Sequence, residues 1–255
     1  MRHPILLTGS LLAFAIAAPA SARDAAEVVA FPTMVKVVVD ERGQPTDIEA
    51  SPKLSQGLRD FVEARARDLA FEPAVIEGRP RGGVTYVVFG VCAVPAAGDQ
   101  MQLAAEYRSH GPGLADGSAY PAPPRYPVEA ARRGLGANMT VHYTVQPDGS
   151  ARLDAVEFAE GTRERTRAPF ERMARDWVAD MRTLPEQVDG QAITTRVSTP
   201  VTLEVANAGS RKARDMLRNM QASKTGSAEC LAAEQAQAGG QIVTAQSAFV
   251  IRDAG

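Results

Sequence analysis

The stretch Met139–Gly161, MTVHYTVQPDGSARLDAVEFAEG, decides the fold. Its apolar residues alternate on both sides of the turn sequence Asp148-Gly149. They are Val141, Tyr143 and Val145 before the turn, and Leu153, Val156 and Phe158 after it. A period of two indicates strands with one buried face, and Asp-Gly is a common turn between paired strands. The stretch therefore predicts a β-hairpin.

A helix and a closing strand follow this hairpin. In PFERMARDWVADM, five apolar residues fall at helical spacing: Phe170, Met173, Ala174, Trp177 and Met181. This spacing predicts an amphipathic helix, and Pro169 suits its first position. Pro185 and Gly190 then break the pattern before TPVTLEV, which predicts a strand.

The same order occurs earlier in the chain. A strand, a turn, a second strand, a helix, a break and a third strand follow one another there. The strands are marked by Val35, Val37 and Val39, by Ile48, and by Val87, Phe89 and Val91. The helix is marked by Leu58, Phe61, Val62, Ala66 and Leu69, and the break by Pro73 and Gly78. Gly149 follows Gly43 by 106 residues and Gly190 follows Gly78 by 112, so the offset drifts only slightly. We interpret the chain as a duplication of an α+β unit.

The predicted organisation is two tandem small domains, each a roughly three-stranded antiparallel sheet packed on one main helix. The first covers residues 28–94 and the second 123–206. Residues 95–122 form a linker that includes a short helix near Met101 to Arg108. Residues 207–255 hold an amphipathic helix through Met216, Leu217 and Met220 and a final strand in QIVTAQSAFVI.

The N-terminus predicts export. Arg2, an apolar stretch from Ile5 to Ala18 and the sequence Ala20-Ser21-Ala22 fit a signal peptide, residues 1–22, that is cleaved after Ala22. The expected location is the periplasm. The alternative is an uncleaved N-terminus anchored in the inner membrane, although the stretch is shorter than the roughly 20 residues that span a bilayer.

The two cysteines, Cys92 and Cys230, predict one disulfide bond in an oxidising compartment. Two separate buried thiols are the alternative. A bond between residues so far apart in sequence would restrict the unfolded chain strongly.

Composition and motifs argue against several functions. The net charge of −2 supplies no basic field for nucleic acid. No metal, phosphate-loop or nucleophile motif occurs. His142 is expected to face solvent, and Trp177 to pack in the core. We therefore expect neither an enzyme nor a cofactor, a metal or a small-molecule substrate.

The segment Pro123–Val205 resembles the C-terminal domain of TonB, the periplasmic energy transducer of Gram-negative bacteria. The resemblance rests on RYPVEAARRG, a leading helix begun at Pro127 and ended at Gly134, on the Asp148-Gly149 hairpin, on the Trp177 helix and on the Asp189-Gly190 turn. Residues 28–94 resemble a degenerate copy that lacks the leading Tyr-Pro helix. The family's histidine-bearing anchor and proline-rich spacer have no counterpart here.

The resemblance implies a protein-binding module that adds a receptor strand to its last strand and so contributes to transport through TonB-dependent outer-membrane receptors. The matching positions are Tyr126, Pro127, Val197, Val201, Leu203 and Val205. Tyr126 either caps the sheet or contacts a partner. The alternative is a structural or assembly protein of the cell envelope, in which the repeats associate with each other or with a second chain.

Overall fold

The computed structural model describes residues 29–95, 101–204 and 243–253. Its fold is α+β, with strands predominating over helices. The signal peptide with Ala22, the predicted helix through Met216, and the residues Val205 and Cys230 lie outside the described residues.

The first repeat has the predicted order of elements. It comprises β1 (Val29–Val39), β2 (Pro45–Ala50), α1 (Gln56–Arg67), β3 (Ala70–Glu72), β4 (Ala74–Ile76), β5 (Arg79–Arg81) and β6 (Gly83–Pro95). The long strand β1 pairs with β2 on one side and with β6 on the other, antiparallel in both cases. Helix α1 buries Val62 and Ala66 against this sheet.

Between the repeats lie β7 (Met101–Gly111), β8 (Gly113–Leu114) and α2 (Val128–Arg132). The predicted short helix near Met101 to Arg108 is wrong, because β7 is a strand that pairs along β6 from Tyr86 to Pro95. Ala105 and Tyr107 pack on the first core while Ala104 and Glu106 are exposed. This alternation suits a strand that covers a hydrogen-bonding edge.

The second repeat comprises β9 (Ala137–Val145), β10 (Ala151–Phe158), α3 (Glu164–Asp180), β11 (Thr183–Leu184), β12 (Gln187–Val188), β13 (Gln191–Ala192) and β14 (Thr195–Leu203). Strand β9 lies between β10 and β14. Helix α3 starts at Glu164, so the prediction that Pro169 begins it is wrong. Residues 164–168 supply an additional first turn, and Pro169 is buried within the helix.

Corresponding turns in the two repeats have the same backbone geometry. Gly43 and Gly149 both have φ of 81°, and each glycine carbonyl accepts a hydrogen bond from a later strand, from Phe71 N and Thr183 N respectively. A Cβ at Gly43 would lie 1.8 Å from the Phe71 oxygen, so no side chain fits there. The matched turns agree with the duplication inferred from the sequence.

The division into two separate domains is not confirmed, because strands cross between the repeats. Hairpin β12–β13 belongs to the second repeat by sequence but pairs with β6 of the first, Gln187 opposite Val84. The final described residues also form two short strands rather than one. Strand β15 (Thr244–Ala245) pairs with β14, and β16 (Val250–Asp253) pairs with β3.

Each repeat keeps its own hydrophobic core. The first is centred on Val35, Val37, Val62, Phe71 and Val87 and also takes in Phe249 from the C-terminal end. The second is centred on Val141, Val145, Phe170, Ala174 and Val178. No helix in residues 29–95, 101–204 and 243–253 has the length and apolar character of a membrane span.

Candidate protein-binding edge of β14

The closing strands of the two repeats differ in how their outer edges are occupied. In the first repeat, β6 is paired by β7 along most of its length and by β12 at Gly83 and Val84. In the second, β14 is paired by β15 only at Val197 and Ser198. Within the part of the chain that the structure describes, Thr199–Leu203 has no strand on that side, so β14 is the candidate binding edge.

The backbone alternation of β14 shows which groups face this edge. Gln246 N donates to the Arg196 carbonyl at 2.8 Å, so the polar groups of Arg196 point outward. In an antiparallel ladder the direction alternates with each residue, so Ser198, Pro200 and Thr202 also point outward. On β9, the Asn138 carbonyl points toward the β10 side, where it accepts from Ala159 N. The odd-numbered residues of β9 and β14 therefore bond to each other.

Pro200 removes one donor from the open part of this edge. Proline has no N–H, and it occurs in sheets mainly on edge strands, where it discourages uncontrolled pairing. An added strand at Thr199–Leu203 therefore has three outward groups available: the Pro200 carbonyl, and the N–H and carbonyl of Thr202. The geometry suits a short added strand in few registers.

The predicted partner-binding valines do not present their side chains. Val197 and Val201 are 4% and 3% exposed and belong to the second core. Leu203 is half-buried against the same core. Alternate residues of β14 face the core, which buries the side chains of Val197 and Val201. The partner-binding role of the strand that contains them stays a prediction. A partner therefore meets the outward backbone groups of β14 and the side chains on its outer face, of which Arg196 and Thr202 are exposed.

Tyr126 and Pro127 directly precede the leading helix α2. Pro127 is its N-cap, and Gly134 follows its C-cap with φ of 61°. Gly134 N donates to the Ala131 carbonyl and Leu135 N to the Ala130 carbonyl, which is a Schellman termination. The helix predicted from RYPVEAARRG is therefore present.

The Tyr126 side chain is used within the chain. Its hydroxyl donates to the Leu135 carbonyl, and its ring packs edge-on against Phe170 with centroids 5.9 Å apart. Burial raises the pKa of Tyr126 above its usual value. Of the two roles left open for Tyr126, the structure describes the capping one.

A polar cluster lies on the outer face of the sheet formed by β10, β9 and β14, on the side away from the second core. His142 Nδ1 lies 2.7 Å from the Ser198 hydroxyl oxygen, and His142 Nε2 lies 3.3 Å from a Glu157 carboxylate oxygen. The three residues come from β9, β14 and β10. His142 therefore lies on the face predicted for it, away from the core, although its ring is partly covered by these neighbours.

A groove of about 1180 Å³ runs along α3. One wall is the proline-rich stretch Pro121–Pro127, and the other carries Met173 and Trp177 of α3. Trp177 packs at the margin of the second core and donates its indole N–H to the Ala122 carbonyl at 2.7 Å. Its predicted packing role is confirmed, and it also fixes the linker.

A buried carboxylate joins the two repeats. Glu186 has 0% exposure and accepts hydrogen bonds from Thr85 of β6 at 2.7 Å, Thr195 of β14 at 3.0 Å and Ser247 at 2.6 Å. Hydroxyl donors satisfy a buried carboxylate that would otherwise be costly. The sequence gives no local signal for this role of Glu186, because Thr85 and Ser247 lie 101 and 61 residues away from it.

His110 also holds the C-terminal residues. Its Nε2 donates to the Phe249 carbonyl at 2.6 Å, while its Nδ1 lies 2.6 Å from the Tyr107 hydroxyl. Burial raises the pKa of Tyr107 to about 12. Phe249 lies in the stretch QIVTAQSAFVI that predicted a final strand, but it precedes β16 and is buried in the first core.

Cys92 is fully buried, and the described residues contain no free cysteine. Its predicted partner Cys230 lies outside them, so the bond between the two stays a prediction.

No protein-family model matches the chain, and no curated protein sequence does. Among solved structures, the chain is similar to the C-terminal domain of TonB from Pseudomonas aeruginosa, determined by NMR in solution. The two share 25% sequence identity, the match covers 34% of this chain and 84% of that chain, and the TM-score is 0.27.

Proposed function

We propose that this chain is a TonB-like protein-binding module of the periplasm, which binds an extended segment of an envelope protein along the outer edge of β14. The proposed partner is a TonB-dependent outer-membrane receptor, and the proposed role is a contribution to transport through it. The motif resemblance of Pro123–Val205 supports the choice of partner, and the predicted export signal supports the location.

One observation carries the proposal: the outward backbone groups at Pro200 and Thr202 have no strand partner among the described residues. Extended peptides bind such edges through main-chain hydrogen bonds, with little demand on particular side chains. This agrees with the burial of Val197 and Val201, whose side chains are not available to a partner. We propose binding rather than catalysis as its activity.

The test is a substitution of the one outward N–H in the open segment. Thr202→Pro removes that donor, whereas Thr202→Val keeps it together with a β-branched side chain. With a synthetic TonB-box peptide and isothermal calorimetry, we expect Thr202→Pro to abolish binding and Thr202→Val to retain it. Equal affinity of the two variants would contradict edge binding. A substitution at Thr202 tests the outer edge more directly than one at Leu203, because the Leu203 N–H points toward Ala137 of β9 and not toward the edge.

The alternative candidate is an envelope structural protein whose repeats associate with each other. The pairing of β12 with β6 favours it, as do the three hydroxyl contacts of Glu186. Strands β2 and β10 also end their sheets within the described residues, and are the edges for a second chain. Sedimentation at increasing protein concentration separates this candidate from the first: a reversible dimer without peptide binding would favour self-association.

A further inference from the structure

We propose that residues 243–246, which contain strand β15, are a built-in competitor that regulates access to the edge of β14. This inference rests on the proposed function, because it concerns the same edge. A partner strand that extends its pairing beyond the open segment Thr199–Leu203 toward Arg196 must displace β15.

The competitor occupies half of the outward positions on β14. Thr244 lies opposite Ser198, and Gln246 N donates to the Arg196 carbonyl at 2.8 Å. Only Pro200 and Thr202 remain beyond it, and Pro200 lacks a donor. A partner limited to the open segment therefore gains three main-chain hydrogen bonds, whereas one that replaces β15 also gains the groups of Ser198 and Arg196.

Residues 243–246 are held by a short strand pairing and by partial burial: Val243 packs at the margin of the second core, and Ala245 lies beside Gly111 of β7. Strand β15 has two residue pairs with β14, and the side chains of Thr244 and Gln246 are exposed. Ala245 is half-buried beside the second core. A short strand of this kind opens locally more readily than a well-packed core strand does.

The following residues are held much more firmly. The Ser247 hydroxyl donates to Glu186 at 2.6 Å, Phe249 has 0% exposure, and Ile251 lies opposite Phe71 in β3. Opening of β15 therefore need not release residues 247–253. A competitor tethered this closely has a high effective concentration at the edge, so it selects for partners with enough pairing to replace it.

The experiment breaks the β15 contact without touching the binding edge. Gln246→Pro removes the N–H that bonds to Arg196, and Gln246→Ala keeps it, while both lose an exposed side chain. The probe is a synthetic TonB-box peptide of about eight residues, long enough to span Arg196–Leu203. We expect Gln246→Pro to lower the Kd about tenfold relative to Gln246→Ala, which corresponds to about 1.4 kcal/mol.

Hydrogen exchange supplies an independent readout without peptide. The reference is the amide of Val250, which faces Glu72 of β3, since Phe71 N bonds to Gly43 instead. In the unmodified chain, the Gln246 amide should exchange at least about tenfold faster than the Val250 amide, as expected for a locally opening strand. Equal protection of the two amides would overturn the inference even if peptide binds.

The outcomes separate the two proposals. Tighter binding by Gln246→Pro, together with unchanged thermal unfolding, supports the competitor. Equal Kd values for both variants overturn it and leave edge binding intact. Peptide binding by none of the proteins overturns edge binding, and the competitor with it.

Discussion

Phe249 is the residue whose replacement tests most directly how the C-terminal end joins the two repeats. Its ring has 0% exposure and belongs to the core of the first repeat. A Cβ built on Gly83 would lie 2.8 Å from the Phe249 ring, so the aromatic side chain packs directly on the backbone of β6. The same segment pairs with β14 of the second repeat five residues earlier, at Thr244.

The expected cost of Phe249→Ala is about 3–5 kcal/mol. We expect the upper part of that range, because Gly83 has no side chain that can move into the space. Such a loss is a large share of the roughly 5–15 kcal/mol that stabilises a folded protein. The matched control is Val250→Ala: Val250 is 53% exposed, and its truncation should change stability by less than about 0.5 kcal/mol.

Urea unfolding followed by two signals measures this cost and shows where it acts. The single tryptophan, Trp177, reports on the second repeat, and circular dichroism reports on the whole chain. If the crossing strands couple the repeats, Phe249→Ala shifts both transitions by the same free energy. A loss below about 1 kcal/mol would refute the packing argument, and a shift in circular dichroism without one in Trp177 fluorescence would refute the coupling.

Two further predictions concern turn geometry and alkaline pH. Gly149→Ala should lower the free energy of unfolding more than Gly190→Ala does. Both glycines have positive φ (81° and 75°), but only at Gly149 would a Cβ lie 2.6 Å from a backbone oxygen. At Gly190 the positive φ alone should cost about 1–2 kcal/mol, and thermal unfolding measures both losses. Tyr107, with its pKa raised to about 12, should ionise after ordinary tyrosines in an ultraviolet titration. A tyrosine in the unfolded chain ionises near pH 10. The stability that buried, protonated Tyr107 contributes is therefore intact below pH 10 and is lost as the pH rises to about 12. Urea midpoints should fall across that window, and they should fall less in Tyr107→Phe.

Local patterns in the sequence predicted much of the secondary structure. Alternation at Val141, Tyr143 and Val145 predicted β9, and helical spacing around Trp177 predicted α3. The turn at Asp148-Gly149 was also predicted, because positive φ favours glycine at a tight turn. These features depend on residues only a few positions apart, so a single sequence contains the signal.

The errors arose where distant parts of the chain decide a conformation. Met101 to Arg108 has helical composition, but the unpaired edge of β6 makes it a strand. The sequence QIVTAQSAFVI predicted one final strand, but its described residues form two short strands, which pair with β14 and with β3. Neither pairing is visible in the local pattern.

The sequence by itself determined the repeated order of strands and helix, because hydrophobic period and turn residues act locally. Only the tertiary structure decided that β12 joins the first sheet, that Glu186 is satisfied by hydroxyls from three segments, and that Thr244–Ala245 covers part of β14. The physical reason is that backbone N–H and C=O groups pair almost without regard to side chain. Which edge meets which strand is therefore settled when the repeats pack together.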